Sequence, residues 1–124
     1  MSETICPIET TLELIGGKYK ALILWHLSSG TMRFGQLQKV IHSATPRVLT
    51  HQLRELESQA LIQRKVYPVI PPKVEYSMTE LGRSLMPILR EMRNWGADYL
   101  RDKNIEPNCS MMESDTEPVS YFSI

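Results

Sequence analysis

Between residues 58 and 78 the hydrophobic period of this chain changes, and that change excludes most folds. Upstream, in TPRVLTHQLRELESQA, leucines at 49, 53 and 56 recur at the three-to-four-residue spacing of a helix with one buried face. Downstream, Ile62, Arg64 and Val66 alternate with Gln63, Lys65 and Tyr67, and Val74, Tyr76 and Met78 alternate with Lys73, Glu75 and Ser77. A period of two belongs to strands. Between the two runs sits PVIPP, a proline-stiffened loop. A helix followed directly by such an antiparallel hairpin reads as a recognition helix and its wing.

The segments before it fit. Ile8, Leu12 and Ile15 recur at helical spacing ahead of Gly16-Gly17, which predicts a first helix from about Pro7 to Ile15. KYKALILWHL is apolar nearly all round and ends at Ser28-Ser29-Gly30, as a buried central helix would. After a short extended piece from Thr31, FGQLQKVI places Phe34, Leu37 and Ile41 on one face of a two-turn helix. His42-Ser43-Ala44 then makes a turn, Thr45 can cap with its hydroxyl, and Pro46 suits a first helical position because its missing N–H would be unpaired there. Two helices joined by a tight turn form a helix-turn-helix candidate. A last helix is expected from Ser77 or Thr79 to about Leu100, bent at Pro87, with Leu81, Leu85, Ile88, Met92, Trp95 and Tyr99 forming a heptad seam. The fold class is mainly α with a small β-hairpin wing: a winged helix-turn-helix over residues 1–100. Residues 101–124 are acidic and aperiodic, which predicts a disordered tail.

A chain of 124 residues supports one modest core. No apolar run is long enough for a membrane span, and MSETICPIET has no basic n-region or apolar h-region, so the expected location is the cytosol with both cysteines reduced. Net charge is zero, yet residues 33–73 carry seven Lys/Arg against Glu55 and Glu57, whereas 102–124 carry five acids against Lys103. A basic middle inside a neutral total suits a phosphate-facing surface.

On the helix from Pro46, Arg47, Thr50, His51 and Arg54 emerge together opposite the leucines. Arginine can place two donors on guanine O6 and N7, threonine can bond a base edge or touch a thymine methyl, and histidine can donate to an acceptor. Ser43 and Thr45, near the positive helix start, suit phosphates. Lys73, where the hairpin tip meets the outgoing strand, is the best-placed wing cation; Arg33, Arg64 and Lys65 are candidates for the DNA backbone. There is no Gly-rich phosphate loop, HExxH or nucleophile elbow, and His26 lies in an apolar helix, so no enzyme is expected. His42, His51 and the two cysteines are too scattered for a metal site, and no cofactor is indicated.

The stretches CPIETTLELIGGKYKALIL, RFGQLQKVI, VLTHQLRELE and LIQRKVYPVIPPKVEYSMTELGRSLMPIL, with Trp95-Gly96, resemble the HxlR-type family of bacterial winged-helix regulators, relatives in fold of the MarR type. The resemblance runs from about residue 6 to 100. It implies a homodimeric, DNA-binding transcription factor held together by its first and last helices, with Leu85, Leu89, Met92 and Trp95 in or near the interface. Residues alone show only an apolar stripe there. The chain departs from the family in having Thr45-Pro46 where Ser-Gln is common, and Tyr19 where Trp is usual.

Cys6 precedes a helix start, where the dipole lowers a thiol pKa, while Glu3 and Glu9 oppose this. Several proteins of the family use a cysteine at this position to sense oxidants or electrophiles, often by joining the two subunits, which makes Cys6 the redox candidate and an oxidant or small molecule the candidate effector. A structural cysteine near the dimer interface is the competing reading. Cys109 matches no family motif but is a candidate resolving partner. The expected function is sequence-specific binding of double-stranded DNA by a dimer on an inverted repeat. The alternative is a winged-helix module for protein contact that reads no base.

Overall fold

The computed structural model describes residues 5–113. Its elements are α1 (Pro7–Ile15), α2 (Lys20–Leu27), α3 (Phe34–Val40), α4 (Pro46–Ser58), β1 (Ile62–Tyr67), β2 (Lys73–Met78), α5 (Glu80–Arg83), α6 (Met86–Asp102) and a 3-10 turn, Ser110–Glu113. The core forms around α2. Ile23, Leu24 and Leu27 have no exposed surface and pack with Leu37 and Ile41 from the α3 region, Leu49, Leu53 and Leu56 of α4, Leu61 and Ile62 at the start of the hairpin, and Leu89 of α6. A nearly all-apolar segment therefore becomes the central helix, no residue of it fully exposed.

The hairpin is antiparallel, with Ile62 opposite Met78, Arg64 opposite Tyr76, Val66 opposite Val74 and Tyr67 opposite Lys73. Its two-residue alternation is the one expected, but burial reaches only Ile62 on β1; from Gln63 outward the strand leaves the core. Met32 extends the sheet by a single bridge, donating to and accepting from Tyr76 at 2.9 and 2.8 Å. The Ile70–Pro71 peptide at the tip is cis, and the Ile70 side chain is fully exposed.

α4 ends on a residue the sequence did not mark. Ala60 takes φ +60°, its N–H donating to the Glu57 carbonyl while that of Leu61 donates to the Leu56 carbonyl, both at 3.0 Å. This paired arrangement closes a helix through a left-handed residue, which is usually glycine because a Cβ costs energy there. Ala60→Gly is expected to raise stability by about 1 kcal/mol in urea titration; a loss of stability would show that Ala60 is unstrained.

Two expectations are corrected. The bent helix from Thr79 to Leu100 is two helices: Thr79 caps α5 by accepting from Gly82 N–H (3.0 Å), Leu85 N–H closes back on the Gly82 carbonyl (3.0 Å), and α6 starts at Met86. Pro87 has no N–H to continue a ladder, and the first turn of a new helix is where none is needed. The expected disordered tail is structured through its described part. Asn104, at φ +63°, ends α6, with Ile105 N–H donating to the Leu100 carbonyl (2.8 Å), and the chain turns back. Ser110 Oγ lies 2.8 Å from His26 Nε2 in a hydrogen bond, and Met111 packs on the core. Residues 114–124 of that tail, and Glu3, lie outside the described residues.

Candidate nucleic-acid interface

The helix-turn-helix is fastened from behind by the start of α2. Buried Gln52 accepts from the Tyr19 N–H at 2.8 Å, and the Tyr19 hydroxyl donates to the Ser43 carbonyl at 3.1 Å. Thr45 caps α4 by accepting from Val48 N–H (3.2 Å), as its position predicted, and Pro46 occupies the first turn. A buried leucine face on one side and these polar ties behind the turn fix which way the other face of α4 points.

On that other face Pro46, Arg47, Thr50, His51 and Arg54 line one shallow, open groove. A second groove leads from Thr50 and Arg54 past Glu57 to Arg64 and Tyr76. The exposed side of α4 is thus continuous with one face of the hairpin. Arg47 and Arg54 are exposed, and neither has an ion-pair partner among the described residues. The Thr50 hydroxyl donates to the Pro46 carbonyl (2.7 Å), so towards solvent it offers a methyl group and a lone pair rather than a donor.

The remaining candidates are more committed. His51 Nε2 lies 3.0 Å from Glu55 Oε1, and Arg64 Nε 3.5 Å from Glu57 Oε1. Lys73 Nζ is 3.5 Å from Glu75 Oε2 and 4.9 Å from the Tyr67 ring centre, which Lys65 Nζ approaches from 4.8 Å. The Tyr67 hydroxyl, ahead of Lys73 and Arg33, holds the Glu75 carboxyl below the usual carboxylate range against the opposing effect of burial. Arg33 is exposed at the start of α3, and Ser43 is exposed in the turn. The structure brings Arg47, Thr50, His51, Arg54 and Arg64 onto connected grooves and leaves Lys65 and Lys73 on the opposite hairpin face.

Two residues were missed. Tyr76 lines the second groove, its phenol pushed up by burial and by Glu57 and drawn down by Arg64 and Arg54; alternation showed its strand face but not its neighbours. Lys20, within the segment read as apolar, is buried with its Nζ 3.4 Å from Glu55 Oε2. Nothing local in the sequence marked that ion pair, because its partners lie 35 positions apart.

Cys6, a free, half-buried thiol, stands at the N-cap position of α1. The backbone N–H of Glu9, then that of Ile8, lower its pKa, and burial opposes them. Cys109 is free and exposed, lining a cleft with Lys39, His42 and Ser43 behind the turn. Of the four interface candidates, Leu89 is wholly buried and Leu85 nearly so in the chain's own core; Leu89 shares the buried face of α6 with Met86 and Ala97. Met92 and Trp95 remain exposed, beside Ile88 and Tyr99. Ile8 and Leu12 of α1, with Ile88 and Met92 of α6, line one apolar groove. Among the described residues no helix is long and apolar enough to cross a membrane, and no group of acids, histidines or cysteines forms a metal-ligand cluster.

This geometry has close counterparts. The family model described as HxlR-like helix-turn-helix matches residues 14–104. The uncharacterised HTH-type transcriptional regulator YdeP of Bacillus subtilis (strain 168) is 52% identical over 94 residues, 76% of this chain and 73% of its own length. The solved structure of the redox regulator HypR in its oxidised form is similar at a TM-score of 0.70 and 49% identity, covering 73% of this chain and 94% of that one. The reduced form of the transcriptional regulator YodB from B. subtilis is similar at 0.67 and 32% identity, covering 77% and 95%. With its winged helix-turn-helix and most of its length matched, the chain belongs to the HxlR-like helix-turn-helix family, a family of transcriptional regulators and not of enzymes.

Proposed function

We propose that the chain acts in the cytosol as a homodimer that binds double-stranded DNA sequence-specifically on an inverted repeat. One observation carries this reading: Arg47 and Arg54, uncompensated among the described residues, flank Thr50 and His51 in a single exposed groove on the helix that follows a tight turn. α4 would lie in the major groove, with Arg47 and Arg54 donating to base edges and Ser43 and Thr45 near phosphates. Arg33, Arg64, Lys65 and Lys73 would contact the flanking backbone. The exposed apolar surface of α1 and α6, now centred on Ile8, Leu12, Ile88, Met92 and Trp95, would be covered by the second copy. Footprinting on DNA upstream of its own coding region tests the whole. Two protected half-sites related by a dyad, about 34 Å apart, are expected; a single half-site would remove the dimer, and no protection would remove the DNA reading. The protein-contact alternative draws on the fully exposed Ile70 at the wing tip, and predicts the last outcome.

Regulation through Cys6 is the second part of the proposal. It rests on the lowered thiol pKa and on the likeness to the redox regulator HypR. A lowered pKa raises the fraction of thiolate, the reactive form, at a given pH. Alkylation of Cys6 should therefore run faster at pH 7 than that of a model thiol, with a rate profile that inflects at lower pH. An equal rate, together with a Cys6→Ala protein whose DNA binding still responds to oxidant, would remove Cys6 as the sensor.

A further inference from the structure

A buried ammonium is costly unless paired, and one in a small regulator with no catalytic role asks for a reason. The Lys20 side chain is 4% exposed, and its Nζ meets Glu55 Oε2 at 3.4 Å; the other oxygen of the same carboxylate meets His51 Nε2 at 3.0 Å. The Glu55 carboxylate thus joins the interior of the domain to its DNA-facing groove. A ring nitrogen 3.0 Å from a carboxylate oxygen is favoured only when that nitrogen carries a proton, since two lone pairs would repel. In a neutral imidazole, the proton on Nε2 leaves Nδ1 as an acceptor.

We infer that Lys20 and Glu55 are positioning residues that fix the hydrogen-bonding polarity of His51, so that its neutral ring reads an exocyclic amine, adenine N6 or cytosine N4. This rests on the DNA-reading proposal and deepens it. Arg47 and Arg54 on the same groove are donors, and the Thr50 hydroxyl has spent its proton on Pro46. His51 then adds a ring-nitrogen acceptor for amine-bearing bases to the single lone pair that Thr50 offers on this face. On this reading His51 accepts at the base edge, where the sequence suggested a donor. Lys20 has a second effect: its positive charge balances Glu55, so that the carboxylate orients the ring without presenting an unneutralised anion to phosphates.

Two readouts test this on the full chain. In the free protein, 15N NMR of the His51 ring should show the Nε2–H tautomer, with Glu55→Gln and Lys20→Met giving a mixture and Lys20→Arg restoring it. In selection from a randomised duplex pool, the parent should prefer adenine or cytosine at one position of each half-site by ~3- to 10-fold, the range of one hydrogen bond. His51→Ala and Glu55→Gln should level that position to within about twofold and leave the guanine preferences intact. A parent ring protonated at Nδ1, or a position unchanged in Glu55→Gln, overturns the inference. A parent that selects no sequence overturns the DNA-reading proposal and the reading role of His51 with it, while the tautomer measurement still decides the relay. Glu55→Gln leaves Lys20 an amide oxygen, so a fold lost in Lys20→Met does not remove the test.

Discussion

Replacing Arg54 with alanine is expected to weaken binding to the preferred duplex by about 10- to 100-fold, and to leave binding to a scrambled duplex within about threefold. The side chain is exposed and has no acidic partner among the described residues, so its removal breaks no internal ion pair and leaves no buried charge. What it removes is a two-donor fork on the reading groove, and such a pair discriminates between bases by roughly 1–3 kcal/mol. Arg47→Ala should behave alike. Lys73→Ala should differ in kind: its Nζ already faces Glu75 and Tyr67, and its loss should weaken all duplexes evenly, lowering the salt slope by about one. Competition titrations with preferred and scrambled duplexes separate the cases. An Arg54→Ala protein that loses both equally has lost a phosphate contact, not a reader.

The second large effect is on the fold. An added Cβ at Gly82 would lie 2.1 Å from the Leu61 carbonyl oxygen, a backbone atom that cannot swing aside as the Met78 side chain, 3.0 Å away, could. This contact sets α5 against the α4–β1 junction, where the Thr79 hydroxyl and N–H also bond to the carbonyls of Ala60 and Leu61. Gly82→Ala should therefore cost about 3 kcal/mol, the upper end for overpacking, and lower Tm by roughly 10–20 °C. Gly35→Ala is the control: nothing lies within 4 Å of its added Cβ, and alanine is the better helix former. Equal Tm values for the two variants would show that α5 can shift at little cost.

The elements legible in the sequence are those that periodicity alone determines. The buried α2, the leucine face of α4, the Thr45-Pro46 entry and the two strands of the hairpin follow from spacing, because each depends on residues a few positions apart. The misreadings all depend on what meets what in space. A heptad stripe continues across Pro87 whether or not the backbone does, so the break at Ser84-Leu85 and the burial of Leu85, one of its positions, were hidden. The return of the chain after Asn104 depends on a single left-handed residue. At the candidate interface, the outward set Arg47, Thr50, His51 and Arg54 was legible from the helical repeat, whereas the internal ties made by Thr50 and His51 were not. Those ties reach Pro46, Glu55 and, through Glu55, Lys20.

The central claim is that this groove reads sequence and does not merely attract phosphate. The most direct measurement is a titration of the reduced, full-length protein against a selected duplex and its scrambled counterpart at about 50 and 200 mM salt. Both affinities should fall steeply with salt because phosphate contacts dominate them, while the ratio between the duplexes persists at roughly 10³ or more. Equal affinities at both salt concentrations would contradict the account, leaving a basic surface that binds without reading.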